Sequence, residues 1–144
     1  MPNSSEQLDT VQVPKYRYYT ASLLDGSVIM EVPFGGVSWE RKISTAGAFS
    51  GSIGADITQD HFDLYNSTIP GKTALYVVRD EVCVWGGIIW SRDYDISNRT
   101  LSINASEFTS YLYHRVFWKT MTIPEAGTSV KTLIENIISS AFTD

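Results

Sequence analysis

Cysteine occurs once in the 144 residues, at Cys83, so the chain can form neither an internal disulfide nor a thiolate zinc cage. That scarcity fits folding in a reducing, intracellular compartment. Long hydrophobic runs are also lacking. None approaches the roughly 20 residues of a membrane span, so no membrane-spanning segment is expected. The start, Met1-Pro2-Asn3-Ser4-Ser5-Glu6-Gln7, lacks the basic and apolar regions of a secretory leader. Basic charge is sparse, with 11 Lys and Arg against 16 Asp and Glu, a net charge of −5. Phosphate contacts need clustered cations, and Arg41-Lys42 is the one adjacent pair, so no specific nucleic acid is expected as a partner. Repeats and low-complexity tracts are absent too.

What is present is globular. A composition 43% hydrophobic and 12% aromatic is too apolar for a disordered chain. A compact fold of this mass buries roughly 68–70% of the surface its unfolded chain exposes. Membrane proteins and disulfide-stapled secreted modules are therefore the disfavoured classes.

Residues 1–14 read as a polar, flexible N-terminal arm, with weak alternation at Leu8, Val11 and Val13 that would also let it add as a strand to a neighbour's sheet. From Lys15 the pattern is β. Tyr16–Leu24 and Ser27–Val32 flank Asp25-Gly26, a strong hairpin signal. Val37–Ile43 and Phe49–Ile57 alternate, the second with small residues that suit a bend or a close backbone approach. After a connection over 58–72 with room for one helical turn at Asp60–Tyr65, Thr73–Arg79 and Val82–Trp90 form a hairpin about Asp80-Glu81. Ser91–Ile96 and Arg99–Ala105 form another about Ser97-Asn98. Short strands at this spacing without a βαβ unit predict a mainly β fold, an antiparallel barrel or sandwich. Closure or near-closure into a barrel is expected over residues 16–105.

Two helices are predicted. One runs over 106–115, with Ser106 as its cap and apolar Phe108, Tyr111 and Leu112. The other is a C-terminal amphipathic helix whose stripe is Val130, Leu133, Ile134, Ile137, Ile138 and Ala141. That stripe needs an apolar partner, from a continuing polypeptide or a neighbour. The domain reading is an arm over 1–14, a β-barrel over 15–122, and the start of a following helical segment over 123–144.

Chemistry-bearing motifs are weak. His61, in Asp60-His61-Phe62-Asp63, has no spaced third ligand or nucleophile, so it reads as a loop histidine. His114 ends a predicted helix, where a cation suits the dipole. Cys83 lies on an alternating run and reads as a packed or half-exposed strand residue. Asp93 and Asp95 share a strand face, as a glycosidase pair could, but they flank a turn beside Arg92 and read as a solvated face. Gly35-Gly36, Gly51/Gly54 and Gly86-Gly87 precede no helix and carry no phosphate-loop lysine. No catalytic, cofactor or metal residues are assigned, and the chain reads as a non-enzyme. The aromatics between residues 76 and 118 suit core and protein interface, with a sugar-stacking face as the alternative.

The phrases Leu24-Asp25-Gly26, Glu31-Val32-Pro33-Phe34-Gly35-Gly36-Val37-Ser38-Trp39, Gly47-Ala48-Phe49-Ser50-Gly51, Asp63-Leu64-Tyr65, Pro70-Gly71-Lys72-Thr73-Ala74-Leu75-Tyr76-Val77, Val84-Trp85-Gly86-Gly87-Ile88-Ile89-Trp90 and Ser110-Tyr111-Leu112-Tyr113-His114-Arg115 follow one another in order. Over residues 17–118 the chain thereby resembles the minor tail proteins of long-tailed actinobacterial phages, which are similar to baseplate and tail-tip hub proteins. The resemblance implies a hub-type β-barrel, in a trimer whose subunits each give two related barrels to a pseudo-hexameric collar. It further implies a structural role: a ring that joins the tail-tube end to the baseplate and surrounds the genome-exit lumen. The implied partners are further copies of the chain as a homotrimer, a distal tail protein, other tail-tip proteins and a tape measure protein. The implied location is the virion tail tip, assembled in the bacterial cytoplasm. Leu8, Val11, Val13, Arg115, Trp118, Leu133 and Ile137 are the expected interface residues, with Arg115 and Trp118 buried at a junction between domains or subunits. A tail-associated cell-wall hydrolase and a carbohydrate-binding attachment module are the alternative functions.

Overall fold

The structure is a computed structural model describing residues 13–54, 59–115 and 129–141. Its strands are β1 (Tyr16–Ser22), β2 (Val28–Glu31), β3 (Gly36–Trp39), β4 (Ala48–Gly54), β5 (Thr73–Arg79), β6 (Val82–Asp95) and β7 (Thr100–Glu107). Helix α1 (Gln59–Asn66) precedes β5, a 3₁₀ helix (Phe108–His114) follows β7, and α2 (Val130–Ala141) comes last. All strand pairs are antiparallel, in one seven-stranded sheet of order β2-β1-β5-β6-β7-β4-β3. The mainly β, antiparallel expectation holds.

Closure of the hydrogen-bond ladder does not. β2 pairs with β1 alone and β3 with β4 alone, so the sheet keeps two edges. Those edges are nevertheless consecutive in sequence, joined by Val32–Gly35. A flat sheet of this many strands would hold its edges about 29 Å apart, at roughly 4.8 Å per strand. The connection from Glu31 to Gly36 reaches at most roughly 18 Å, at about 3.3–3.6 Å per residue. The sheet must therefore roll. Pro33 has no N–H to give a ladder, and the Gly35 N–H goes to the Ser52 carbonyl at 2.8 Å, so the connection straps the seam without pairing the edges.

Alternation decides the core. Phe49, Gly51 and Ile53 of β4 and Leu101, Ile103 and Ala105 of β7 point inward, against Leu75 and Val77 of β5 and Trp85 and Ile89 of β6. Val32 of the strap is 1% exposed, and Phe34 packs edge-on against Phe49 (5.3 Å between ring centres) and Tyr18 (5.4 Å). The seam is thus filled by side chains, while the Val32 and Gly35 N–H groups donate to the Tyr18 and Ser52 carbonyls on either side, both at 2.8 Å. Burial in this core raises the Tyr18 phenol above its ordinary pKa.

Three local readings change, the first being the connection over 58–72, where the single expected turn is the eight-residue helix α1. The two strands expected over Val82–Ile96 are one 14-residue strand, β6, which serves both hairpins. Its register slips between Ile89 and Ser91, a bulge at Trp90 that turns the indole toward the 3₁₀ helix. Ser106 does not cap a helix. β7 runs on through Glu107, and the following turn winds as 3₁₀ with no side-chain cap.

Candidate interaction surface

The sheet positions the 3₁₀ helix through three contacts. The Trp90 Nε1–H donates to Ser110 Oγ at 2.8 Å, His114 stacks on the Trp90 ring at 4.0 Å, and Phe108 lies 5.7 Å from the Tyr76 ring. Behind it, Glu107 ties β7 to the β3–β4 loop. Its N–H donates to the Gly47 carbonyl at 2.9 Å, and its Oε2 accepts the Gly47 N–H at 2.7 Å.

Between the 3₁₀ helix and the β1–β2 hairpin lies an open groove of about 710 Å³. Its walls are Leu23 and Leu24 from the hairpin, Lys72 before β5, Ile88 of β6, and Phe108 and Tyr111. The Leu23 N–H donates to the Lys72 carbonyl at 3.0 Å, which fixes that wall. Leu24 is 97% exposed, and Phe108, Leu112 and Tyr113 are exposed on or beside the groove. The surface is apolar, with Lys72 the one ionic side chain among the described residues that line it.

A shallower depression of about 400 Å³ lies against β6, between Arg41, Tyr76, Cys83, Glu107 and Thr109. Cys83 is exposed there, its thiol donating to the Trp85 carbonyl at 3.5 Å.

The expected interface residues fall on separate elements. Val13 stands exposed just before β1. Arg115 follows the 3₁₀ helix, exposed, with its guanidinium over the Tyr111 ring at 4.9 Å and its Nε–H donating to Tyr111 Oη at 2.8 Å. Leu133 and Ile137 lie on α2, half-buried and exposed respectively. Leu8, Val11 and Trp118 lie outside the described residues, as does the side chain of His61. The groove residues Leu23, Lys72, Ile88 and Tyr111 are the ones sequence reasoning missed. They are far apart in the chain and meet only when β1, β5 and β6 pair and the 3₁₀ helix folds back beside β6.

Chemistry-bearing side chains are engaged locally. Among the described residues, no group of three or more His, Cys, Asp and Glu is placed to hold a metal ion. Asp95 accepts the N–H groups of Ser97 (2.8 Å) and Asn98 (3.1 Å) and the Asn98 side-chain amide (2.6 Å). The Asn98 backbone and side-chain bonds, then that from Ser97, hold its carboxyl below the ordinary range, opposite to the shift a general acid needs. Glu31 takes a bidentate grip from Arg17 at 3.0 and 2.7 Å, which lowers the carboxyl and raises the guanidinium. Trp85 is a core residue, stacked near Phe49 and donating to the Glu40 carbonyl at 3.1 Å. Of the exposed aromatics among the described residues, Tyr65, Phe108 and Tyr113 belong to the helical segments and Tyr16 opens β1. No helix among the described residues is long and apolar enough to cross a membrane.

No protein-family model matches the chain, and no curated protein matches it.

Proposed function

We propose that this chain is a structural subunit of a phage tail-tip or baseplate hub, one member of a ring that joins the tail-tube end to the baseplate around the genome-exit lumen. The observation that carries this reading is the distribution of apolar surface. The wide groove beside the 3₁₀ helix is open to solvent and Val130, Ile134, Ile137 and Ile138 of α2 are exposed, while turn or cross-strand partners hold Asp25, Glu31 and Asp95 below the usual carboxylate range. Surface of this kind suits permanent assembly. The resemblance over residues 17–118 supplies the specific assembly. In it the rolled sheet serves as a hub-type barrel, and the partners are two further copies, a distal tail protein, other tail-tip proteins and a tape measure protein. Arg115 and Trp118 lie at the junction to the next domain or subunit. The protein assembles in the bacterial cytoplasm and resides in the virion.

Gold-labelled antibody raised against this chain, applied to virions of the phage that encodes it, should mark the tail end opposite the capsid. A nonsense codon within residues 16–105 should yield particles that lack complete tails. Normal infectious tails from the nonsense mutant, or label on the capsid alone, would rule the hub out.

A further inference from the structure

We propose that Asp25-Gly26 is this protein's site of spontaneous backbone isomerisation, and that the turn around it withholds the reaction for as long as the β1–β2 tip stays closed. The proposal does not depend on the hub reading.

The sequence puts the reactive step in one place. An aspartyl side chain can react with the backbone nitrogen of the next residue, and glycine, lacking a Cβ, shields that nitrogen least. Asp25-Gly26 is the one Asp-Gly step in the chain, and no Asn-Gly step occurs. Asp25, Gly26 and Ser27 are all exposed, so water reaches the site. In the reaction the Gly26 nitrogen bonds to Asp25 Cγ. Its proton and the hydroxyl of the protonated carboxyl leave as water. A second water then opens the five-membered imide at either carbonyl. Opening at Cγ restores aspartate, and opening at the Asp25 main-chain carbonyl leaves isoaspartate, with the chain routed through Cγ. Mass and oxidation state are unchanged, and water is the only co-reactant.

The folded turn opposes each requirement. The Gly26 N–H donates to the Ser22 carbonyl at 2.9 Å, which keeps the proton that must leave away from solvent base. Asp25 Oδ1 accepts the Ser27 hydroxyl at 2.8 Å and the Ser27 N–H at 3.1 Å, so the carboxyl is anchored on the residue beyond Gly26. The Ser27 hydroxyl first, and then its N–H, also hold that carboxyl below the usual carboxylate range, and an ionised carboxylate has no hydroxyl to release. Ser22 closes the base of the loop, its N–H donating to the Ser27 carbonyl at 2.9 Å and its Oγ accepting the Leu24 N–H at 3.2 Å. Gly26 stands at φ 73°, in the left-handed region that favours glycine. The residue the turn requires is therefore the one that makes the step reactive. Reaction needs the tip to open, and its rate follows the fraction of time the tip is open. Isoaspartate lengthens the backbone by one atom and so displaces the Ser22–Ser27 closure. β2 pairs with β1 alone, so no second neighbour holds its register when that happens.

The test incubates the full-length chain in mildly acidic buffer, folded and in urea, and then digests it with trypsin. The peptide Tyr18–Arg41 contains Asp25 as its one aspartate and no asparagine, so isoaspartate in it has a single source. It is read as a shifted chromatographic peak of unchanged mass that resists a protease cutting before aspartate. The folded chain should accumulate it about tenfold more slowly than the unfolded chain, or more slowly still. Ser27→Ala, which removes the hydroxyl anchor at an exposed position, should raise the folded rate severalfold with circular dichroism unchanged. The comparison of folded with unfolded wild type stands whatever that variant does to folding. Equal rates in the folded and unfolded chain would overturn the proposal. So would an unfolded chain that forms no isoaspartate at Asp25, or a folded Ser27→Ala chain that reacts no faster than the wild type.

Discussion

At Gly47 a methyl group would lie 2.1 Å from the Glu40 carbonyl oxygen, the same oxygen that receives the Trp85 indole N–H. The obstacle is backbone, and the Glu107 bonds hold Gly47 on its other side, so the clash cannot relax by a side-chain rotation. Gly54 is the contrasting case, with open space where its methyl would go. Gly47→Ala should cost about 2 kcal/mol or more, and Gly54→Ala well under about 1 kcal/mol. Urea unfolding midpoints compare them, and equal losses would show that the Glu40–Gly47 approach can yield. Asp95 makes a prediction about acid. Its carboxyl is held low in the folded chain by Asn98 and Ser97, so it binds a proton less readily folded than unfolded. Its stabilisation is then complete above the ordinary carboxylate pKa, near about 4, and disappears as pH falls through the lower folded value. The stability gap between the wild type and Asp95→Ala should therefore be widest above about pH 5 and narrow toward about pH 2. A gap constant over that range would contradict the argument.

The elements show which signals a sequence carries and which it conceals. Asp80 and Glu81 were legible as a hairpin turn, and both adopt positive φ, 49° and 68°, the conformation a tight two-residue connection demands. The pairing of β1 with β2 about Asp25-Gly26 was equally legible, with Gly26 at φ 73°. The alternation legible in Phe49–Ile53 is the period two of a half-buried strand, with Phe49 and Ile53 buried. The unity of β6 was hidden, since a bulge breaks the alternation at Trp90 and imitates a strand end. Ser106 misled for a related reason: a serine before an apolar run resembles a cap, but pairing with Ala48 and Ile88 keeps it in β7. Of the candidate surface, the exposed stripe of α2 could be read from spacing alone. The groove could not, because Leu23, Lys72, Ile88 and Tyr111 have no shared period. The bulge and the 3₁₀ helix meet in the Trp90–Ser110 bond. Ser110→Ala and Trp90→Phe should each destabilise by roughly 1 kcal/mol through that bond, and the double variant should lose less than the sum. Additive losses in a double-mutant cycle would show that the bond contributes nothing.

For the molecule as a whole, the open ladder separates a strapped sheet from a closed barrel. β5, β6 and β7 are each paired on both sides, whereas β2 and β3 each have one unpaired flank. Amide hydrogen exchange on the isolated chain should therefore be slowest in the middle strands and fastest along the outer flanks of β2 and β3. If β2 and β3 protect as strongly as β6, the two edges are bonded to each other and the ladder is closed after all.

The strap over 32–35 also bears on the order in which the chain becomes organised. β5, β6 and β7 form a meander through short turns, but the N-terminal strands join it across long stretches of chain. Lys15 bonds to Asp80, 65 residues away, and Gly47 to Glu107, 60 residues away. Closing loops of that length costs entropy before any contact rewards it, so the meander is the natural nucleus and the strap locks last. A substitution inside the meander, such as Leu101→Ala, should slow refolding, while Val32→Ala should leave refolding nearly unchanged and hasten unfolding. Stopped-flow chevrons distinguish these cases, and a refolding limb slowed by Val32→Ala would place the strap in the rate-limiting barrier. Time, on this view, enters the fold at its seam: the last segment to settle is the first to let go.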